Sequence, residues 1–210
     1  MNITVVGASG KIARHLHPIL IEKGHHVRGI IRKKEQKSDL KKLGVEPVIC
    51  DIEQEADISE AVGNVDAVLF AAGAGPGSGK ERKKSVDRDG AIKLIRACAE
   101  NEIQRYIMIS AMGLDTPRGD EVFQAYQKAK ADADEALLNS GLNYTIIKPG
   151  RLTNENGTGN IKVGNLDGGE IPREDVAAVV AESFEEEKTF YKSFDLLSGD
   201  TPIPDALQSL

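Results

Sequence analysis

Cysteine is scarce in this 210-residue chain. Cys50 and Cys98 stand far apart, with no second thiol or histidine at metal-ligand spacing, so neither a disulfide framework nor a zinc site is indicated and a reducing compartment is expected. Basic residues are outnumbered: 27 lysines and arginines face 33 aspartates and glutamates. The resulting net charge of -6 argues against a nucleic-acid partner, which needs positive charge to neutralise phosphates. No apolar run approaches the ~20 residues of a membrane span. The chain instead enters an apolar strand at once with Ile3, Thr4, Val5 and Val6, so a cytoplasmic protein without signal peptide, anchor or membrane contact is expected. Low-complexity tracts and internal repeats are also missing, which speaks against disorder.

What is present is an ordinary globular composition, 40% hydrophobic and 29% charged, on a length that one α/β core can fill; a single domain over 1–210 is expected. Apolar runs of strand length alternate with amphipathic helical stretches. Strands are predicted at Asn2–Val6, His26–Ile31, Glu46–Cys50, Asp66–Ala72, Arg105–Ser110 and Asn143–Ile147. Between them lie helices over Lys11–Lys23, about Gln36–Leu43, Ile58–Val62, Val86–Asn101 and Glu121–Ser140. This alternation builds a parallel sheet through right-handed crossovers. The expected fold class is therefore α/β, a doubly wound parallel Rossmann-type sheet, with a small C-terminal elaboration. A glycine- and asparagine-rich stretch over 150–172 reads as a loop or hairpin inserted near the site. A helix over Arg173–Glu186, a strand over Phe194–Leu197 and a short helix after Pro204 close the chain. Ligands of such sheets sit beyond the carboxyl ends of the strands, so the residues there carry the functional reading.

Directly after the first strand come Gly7-Ala8-Ser9-Gly10-Lys11-Ile12-Ala13, running into a helix. Glycine permits the tight turn and the close approach of backbone to a pyrophosphate, whose charge suits the exposed N–H groups of the helix start. A dinucleotide is the indicated ligand; the alternative is a plain strand-to-helix turn. The second strand ends Ile31-Arg32-Lys33-Lys34, and Arg32 stands 25 residues after Gly7, where NAD sites usually carry an acid for the ribose 2′-hydroxyl. A guanidinium there can clasp a 2′-phosphate, so NADP(H) is expected to be preferred, with NAD(H) possible. The alternative is a solvated basic run. Asp51-Ile52 falls where side chains meet an adenine edge, or is a simple turn.

With these motifs the chain resembles the atypical branch of the short-chain dehydrogenase/reductases, the NAD(P)H-binding, epimerase/dehydratase-like family. The resemblance runs over nearly the whole chain. Besides the glycine turn it is carried by Ala71-Ala72-Gly73, Val86-Asp87-Arg88-Asp89-Gly90-Ala91, Ile109-Ser110-Ala111, Tyr126-Gln127-Lys128-Ala129-Lys130, Tyr144 to Gly150 and Ile171 to Ala177. It implies that Ser110, Tyr126 and Lys130 form the family's catalytic set. It also implies that Ala71, Ala72 and Gly73 border the cofactor and that Pro149 and Gly150 lie beside the nicotinamide. Phe70, where many relatives are polar, and Ala13, in place of a third glycine, depart from the pattern.

Lys130 lies about 40° around a helix from Tyr126, so the two side chains converge. It also falls inside an apolar arc of Val122, Phe123, Tyr126, Ala129, Ala133, Ala136 and Leu137, where a lysine needs a partner. A ribose and a tyrosine hydroxyl would supply one, the ammonium would lower the tyrosine pKa, and Ser110 would hold the same carbonyl oxygen. The alternative has Tyr126 as a core aromatic, Lys130 snorkelling and Ser110 as a cap. Gly75-Pro76-Gly77-Ser78-Gly79-Lys80 lacks the first glycine and the Ser or Thr of a phosphate loop and reads as a mobile loop, with Lys80, Arg82, Lys83 and Lys84 solvated. His15, His17, His25 and His26 read as surface histidines, and Arg173-Glu174-Asp175 as a helix start favoured by its dipole. The expected activity is NADP(H)-dependent oxidoreduction of a small carbonyl-like substrate. A non-catalytic NADP(H) sensor and an epimerase or dehydratase using bound cofactor are the alternatives. Substrate identity and oligomeric state are open.

Overall fold

The computed structural model describes residues 1–75, 77–116 and 118–210. Eleven strands are β1 (Asn2–Val6), β2 (His26–Ile31), β3 (Glu46–Ile49), β4 (Ala67–Phe70), β5 (Arg105–Ile109), β6 (Asn143–Pro149), β7 (Arg151–Thr153), β8 (Asn160–Gly164), β9 (Glu170–Pro172), β10 (Lys192–Ser198) and β11 (Thr201–Pro202). The helices are α1 (Lys11–Glu22), α2 (Lys37–Lys42), α3 (Ser59–Val62), α4 (Lys80–Arg82), α5 (Ala91–Glu100), α6 (Glu121–Leu138), α7 (Arg173–Ser183) and α8 (Ile203–Gln208). Between α4 and α5 the chain is π-helical over Lys83–Gly90.

Nine strands form one sheet in the order β11-β8-β10-β6-β5-β4-β1-β2-β3. From β3 to β10 every pairing is parallel; β8 and β11 then add antiparallel. The sheet is Rossmann-like, and its strand order reverses between β1 and β4, the point where a crevice opens above the strand ends. Alternate residues serve opposite faces. Ile3, Val5, Leu69 and Ile107 pack under α1 and α7 with Leu16, Leu20, Val176 and Val180. Val6, Val68, Phe70, Tyr106 and Met108 pack under α5 and α6 with Leu94, Cys98, Ala133 and Leu137. Because both faces are covered, the central strands are continuously apolar, as parallel strands require.

Three expectations need correction. The glycine-rich stretch is not a hairpin: β7 pairs in parallel with β9, while β8 leaves to join the main sheet against β10. It is tied down by the helix start behind it. Asp175 accepts hydrogen bonds from the Thr158 and Gly159 N–H groups at 3.0 and 2.9 Å, Glu174 accepts from Gly157, and Arg173 donates to the Leu152 and Thr153 carbonyls. The basic run from Lys80 is helical rather than loop, and three of its four cations are engaged: Lys80 pairs with Glu121, Arg82 with Glu53, and Lys83 donates to the Gly75 carbonyl, while Lys84 is exposed as expected. Pro76, in the segment expected to be mobile, lies outside the described residues. Finally, His17 and His25 are buried, at 0% and 6% exposure, because α1 turns His17 inward beside Ala13, Leu16 and Leu20.

Candidate cofactor cleft and catalytic end

A cleft of about 370 Å³ opens over the carboxyl ends of β1 to β4. It is lined by Gly7, Ser9 and Gly10 after β1, Arg32 and Gln36 after β2, Asp51, Ile52 and Glu53 after β3, and Ala71 to Gly75 after β4. Gly7 is at φ +86°, and a Cβ there would lie 2.6 Å from the Ala72 nitrogen, so no side chain fits. The Gly10 N–H donates to the Gly7 carbonyl at 2.9 Å, closing the turn. From beneath, the His17 Nε2–H donates to the Ala8 carbonyl at 2.8 Å. Burial pushes the His17 pKa down, which keeps the ring neutral for this contact. The start of α1 has neither a side-chain cap nor an acid in its first turn, so its N–H groups are left for a ligand. A turn with no Cβ at Gly7 and a positive helix end fit a dinucleotide pyrophosphate, and the Gln36 amide donates to the Ser9 hydroxyl at 2.7 Å on the wall beside them.

Of the residues read from sequence as cofactor contacts, Gly7, Ser9, Gly10, Arg32, Asp51, Ile52, Ala71, Ala72 and Gly73 share this cleft; Lys11, Ile12, Lys130, Pro149 and Gly150 do not line it. Lys11 is exposed, and Ile12 packs against the core under α1. Gly150 has a packing reason of its own: a Cβ would meet the Gly169 carbonyl at 2.5 Å and Leu197 at 2.4 Å.

Ser110 directly follows β5 and Lys130 reaches the last carbonyl of that strand, while Tyr126 stands one helical turn before Lys130 on α6. Lys130 is 4% exposed and donates to the Ile109 carbonyl at 3.1 Å, with Asp87 3.6 Å away. Ser110 is buried and donates to Asp134 at 2.9 Å. Asp134 also has Lys148 at 3.9 Å, yet burial dominates and pushes its carboxyl up to about 6. Asp87 accepts from the Ala74 N–H at 3.1 Å and so ties the loop after β4 to Lys130. Gln127 does the same for the loop after β5, donating to the Gly113 and Thr116 carbonyls and accepting from the Arg118 N–H.

Three features of this end differ from expectation. The Tyr126 pKa is not lowered; burial first, then Asp87 and Asp134, push it up to about 12. The ammonium expected to lower it is committed to Ile109 and Asp87. Phe123, placed in the apolar arc, is 42% exposed and stacks 5.8 Å from Tyr126, because α6 begins beyond the core. The arc is also less apolar than read, since its buried face includes Gln127 and Asp134.

The NAD(P)H-binding family model matches residues 7–187, most of the chain. The chain belongs to the NAD(P)H-binding family. It is 40% identical, over all of both chains, to a Bacillus subtilis protein named as an uncharacterized sugar epimerase, YhfK. It is 37% identical to the yeast UPF0659 protein YMR090W of Saccharomyces cerevisiae, covering 100% of this chain and 99% of that one. A solved structure from Bacillus halodurans, provisionally described as an NAD-dependent epimerase/dehydratase, superposes with a TM-score of 0.94 at 40% identity over the whole of both chains. The oxidoreductase ylbE of Lactococcus lactis gives 0.88 at 28% identity, over 100% of this chain and 96% of that one. A Veillonella parvula short-chain dehydrogenase/reductase solved with NADP shares the fold at 18% identity and a TM-score of 0.77, covering 96% of each chain.

Among the described residues, no group of three or more His, Cys, Asp or Glu side chains is arranged to hold a metal, and no helix is long and apolar enough to cross a membrane. Cys50, on the cleft wall, and Cys98, in the core, are free thiols whose pKa values burial raises.

Proposed function

We propose that this protein is an NADP(H)-preferring oxidoreductase acting on a small carbonyl-like substrate. What supports the reading is the cleft at the sheet's reversal point, with the glycine turn at its floor and Arg32 on its rim, and Lys130 held at the end of β5. In this reading Gly7, Ser9, Gly10 and the start of α1 hold the pyrophosphate. Arg32 meets the 2′-phosphate, Asp51 and Ile52 border the adenine, and Ala71, Ala72 and Gly73 supply backbone beneath the dinucleotide. Lys130 would hold the ribose hydroxyls, and Pro149 and Gly150 would border the nicotinamide. Bound there, the cofactor supplies hydride. Ser110 holds the substrate oxygen and Tyr126 delivers a proton to it.

A second reading, a dinucleotide sensor without turnover, is favoured by one observation. Lys130 and Ser110 are both engaged by carboxylates, and Tyr126 keeps its proton up to about pH 12. Two measurements on the purified protein decide. NADPH is expected to raise the melting temperature more than NADH does. NADPH is also expected to be oxidised with at least one member of a panel of aldehydes, ketones, quinones and flavins. Tyr126→Phe is expected to lower that turnover by about 10²-fold or more while the NADPH shift remains. Undiminished turnover in Tyr126→Phe would remove the proton-donor role; binding without any oxidation would select the sensor.

A further inference from the structure

At the outer rim of the cleft three charged side chains from three elements meet. Arg32 follows β2, Glu53 lies two residues beyond Asp51 after β3, and Arg82 closes α4. Arg82 grips Glu53 with two nitrogens, Nε at 3.0 Å and Nη2 at 2.8 Å from Oε2, and Nε is also 3.3 Å from Oε1. The Ser85 hydroxyl donates to Oε1 at 2.8 Å. Each carboxylate oxygen therefore already accepts two hydrogen bonds. Arg32 stands further off, its Nη1 3.6 Å from Oε2, and its side chain is 44% exposed against 17% for Glu53. The Arg82 hydrogen bonds, ahead of the other causes, hold the Glu53 carboxyl below its usual range, so it is ionised at neutral pH.

A carboxylate with free lone pairs on the rim of this cleft could accept from a ligand hydroxyl. Here its lone pairs are filled by Arg82 and Ser85, and Arg32 stands over Oε2 as a second, more distant cation. We propose that Glu53 is the residue that sets cofactor discrimination. By competing for Arg32 it restrains the preference for a dinucleotide carrying a 2′-phosphate, and Arg82 controls how strongly it competes. The inference rests on the dinucleotide reading above. A 2′-phosphate brings about one and a half to two negative charges, so it gains from Arg32 and is opposed by a carboxylate on the same guanidinium. A dinucleotide with a bare 2′-hydroxyl meets neither effect. The Arg32–Glu53 contact is long and exposed, so it is the one that exchanges; the Arg82–Glu53 contact is forked and more buried, so it persists.

The two partners of the pair should thus move selectivity in opposite directions. Glu53→Gln removes the competitor. Arg82→Met removes a positive charge and leaves Glu53 with Arg32 as its cationic partner. The test is titration calorimetry of the full chain with NADPH and with NADH. The affinity ratio NADPH to NADH is expected to rise about tenfold in Glu53→Gln and to fall about tenfold in Arg82→Met, with NADH affinity changed by less than about twofold in both. A ratio that holds steady in both, or moves the same way in both, overturns the proposal. Should Glu53→Gln fail to fold, Arg82→Met decides alone, and a ratio that is unchanged or higher overturns it. Wild-type protein that binds neither dinucleotide at millimolar concentration would defeat the dinucleotide reading itself. Wild-type protein that binds both while the variants keep its ratio would defeat only the role of Glu53.

Discussion

Lys130 and Asp87 are a buried pair of opposite charge, 3.6 Å apart. Both are nearly sealed from water, and each offsets the other's desolvation only while the pair persists. Lys130→Met is therefore expected to destabilise the fold by about 3–5 kcal/mol, and Asp87→Asn combined with it to restore about 2 kcal/mol. Urea unfolding of the two single variants and the double one measures this, and purely additive effects would show the two groups to be independent. Asp134 makes a separate prediction in pH. Its carboxyl titrates near 6 in the fold against an ordinary value of 3.8, so the folded state holds a proton that the unfolded chain has already lost. The stability this provides is fully present below about pH 4 and is lost as pH rises through 6, an effect of up to about 3 kcal/mol. Asp134→Asn should remove that decline, so the difference between the two stability curves should slope between those limits and be flat above them.

These two acids also mark the limit of what the sequence discloses. The order of strands and helices is legible because parallel strands must be apolar throughout and helices must alternate with them; β1, β2 and the start of α6 fall where the pattern puts them. The glycine turn is legible because backbone geometry there admits little else. Asp134 escaped because an acid four residues after Lys130 looks like an ordinary solvated helix pair, although that spacing places it on the same buried stripe. Asp87 escaped because a π-helix, with a hydrogen-bond period that hydrophobic spacing does not announce, turns it inward together with Val86 and Gly90. Glu53 and Arg82 meet only through folding, 29 residues apart in the chain. At the level of elements, the 150–172 segment is ordered by the helix behind it rather than by its own composition. Asp175→Ala should leave the Thr158 and Gly159 N–H groups without their acceptor, costing about 2 kcal/mol. It should also raise amide hydrogen exchange at those two positions; unchanged exchange there would show the loop to be held by other contacts.

Across the whole molecule the sheet has two outer strands, β3 and β11, and each contains a proline, Pro47 and Pro202. The Cys50 N–H donates back to Ile31 on β2, and the Ile203 N–H donates to Gly159, one residue before β8. Because hydrogen-bonding direction alternates along a strand, Pro47 and Pro202 both face outward, where a free N–H would otherwise be offered. Pro47→Val is expected to change the melting temperature little while raising light scattering on mild heating; equal scattering would show that the proline is not what guards that side. The sheet is thus finished at nine strands. A neighbouring backbone that approaches either outer strand therefore meets a ladder of N–H groups that a proline interrupts.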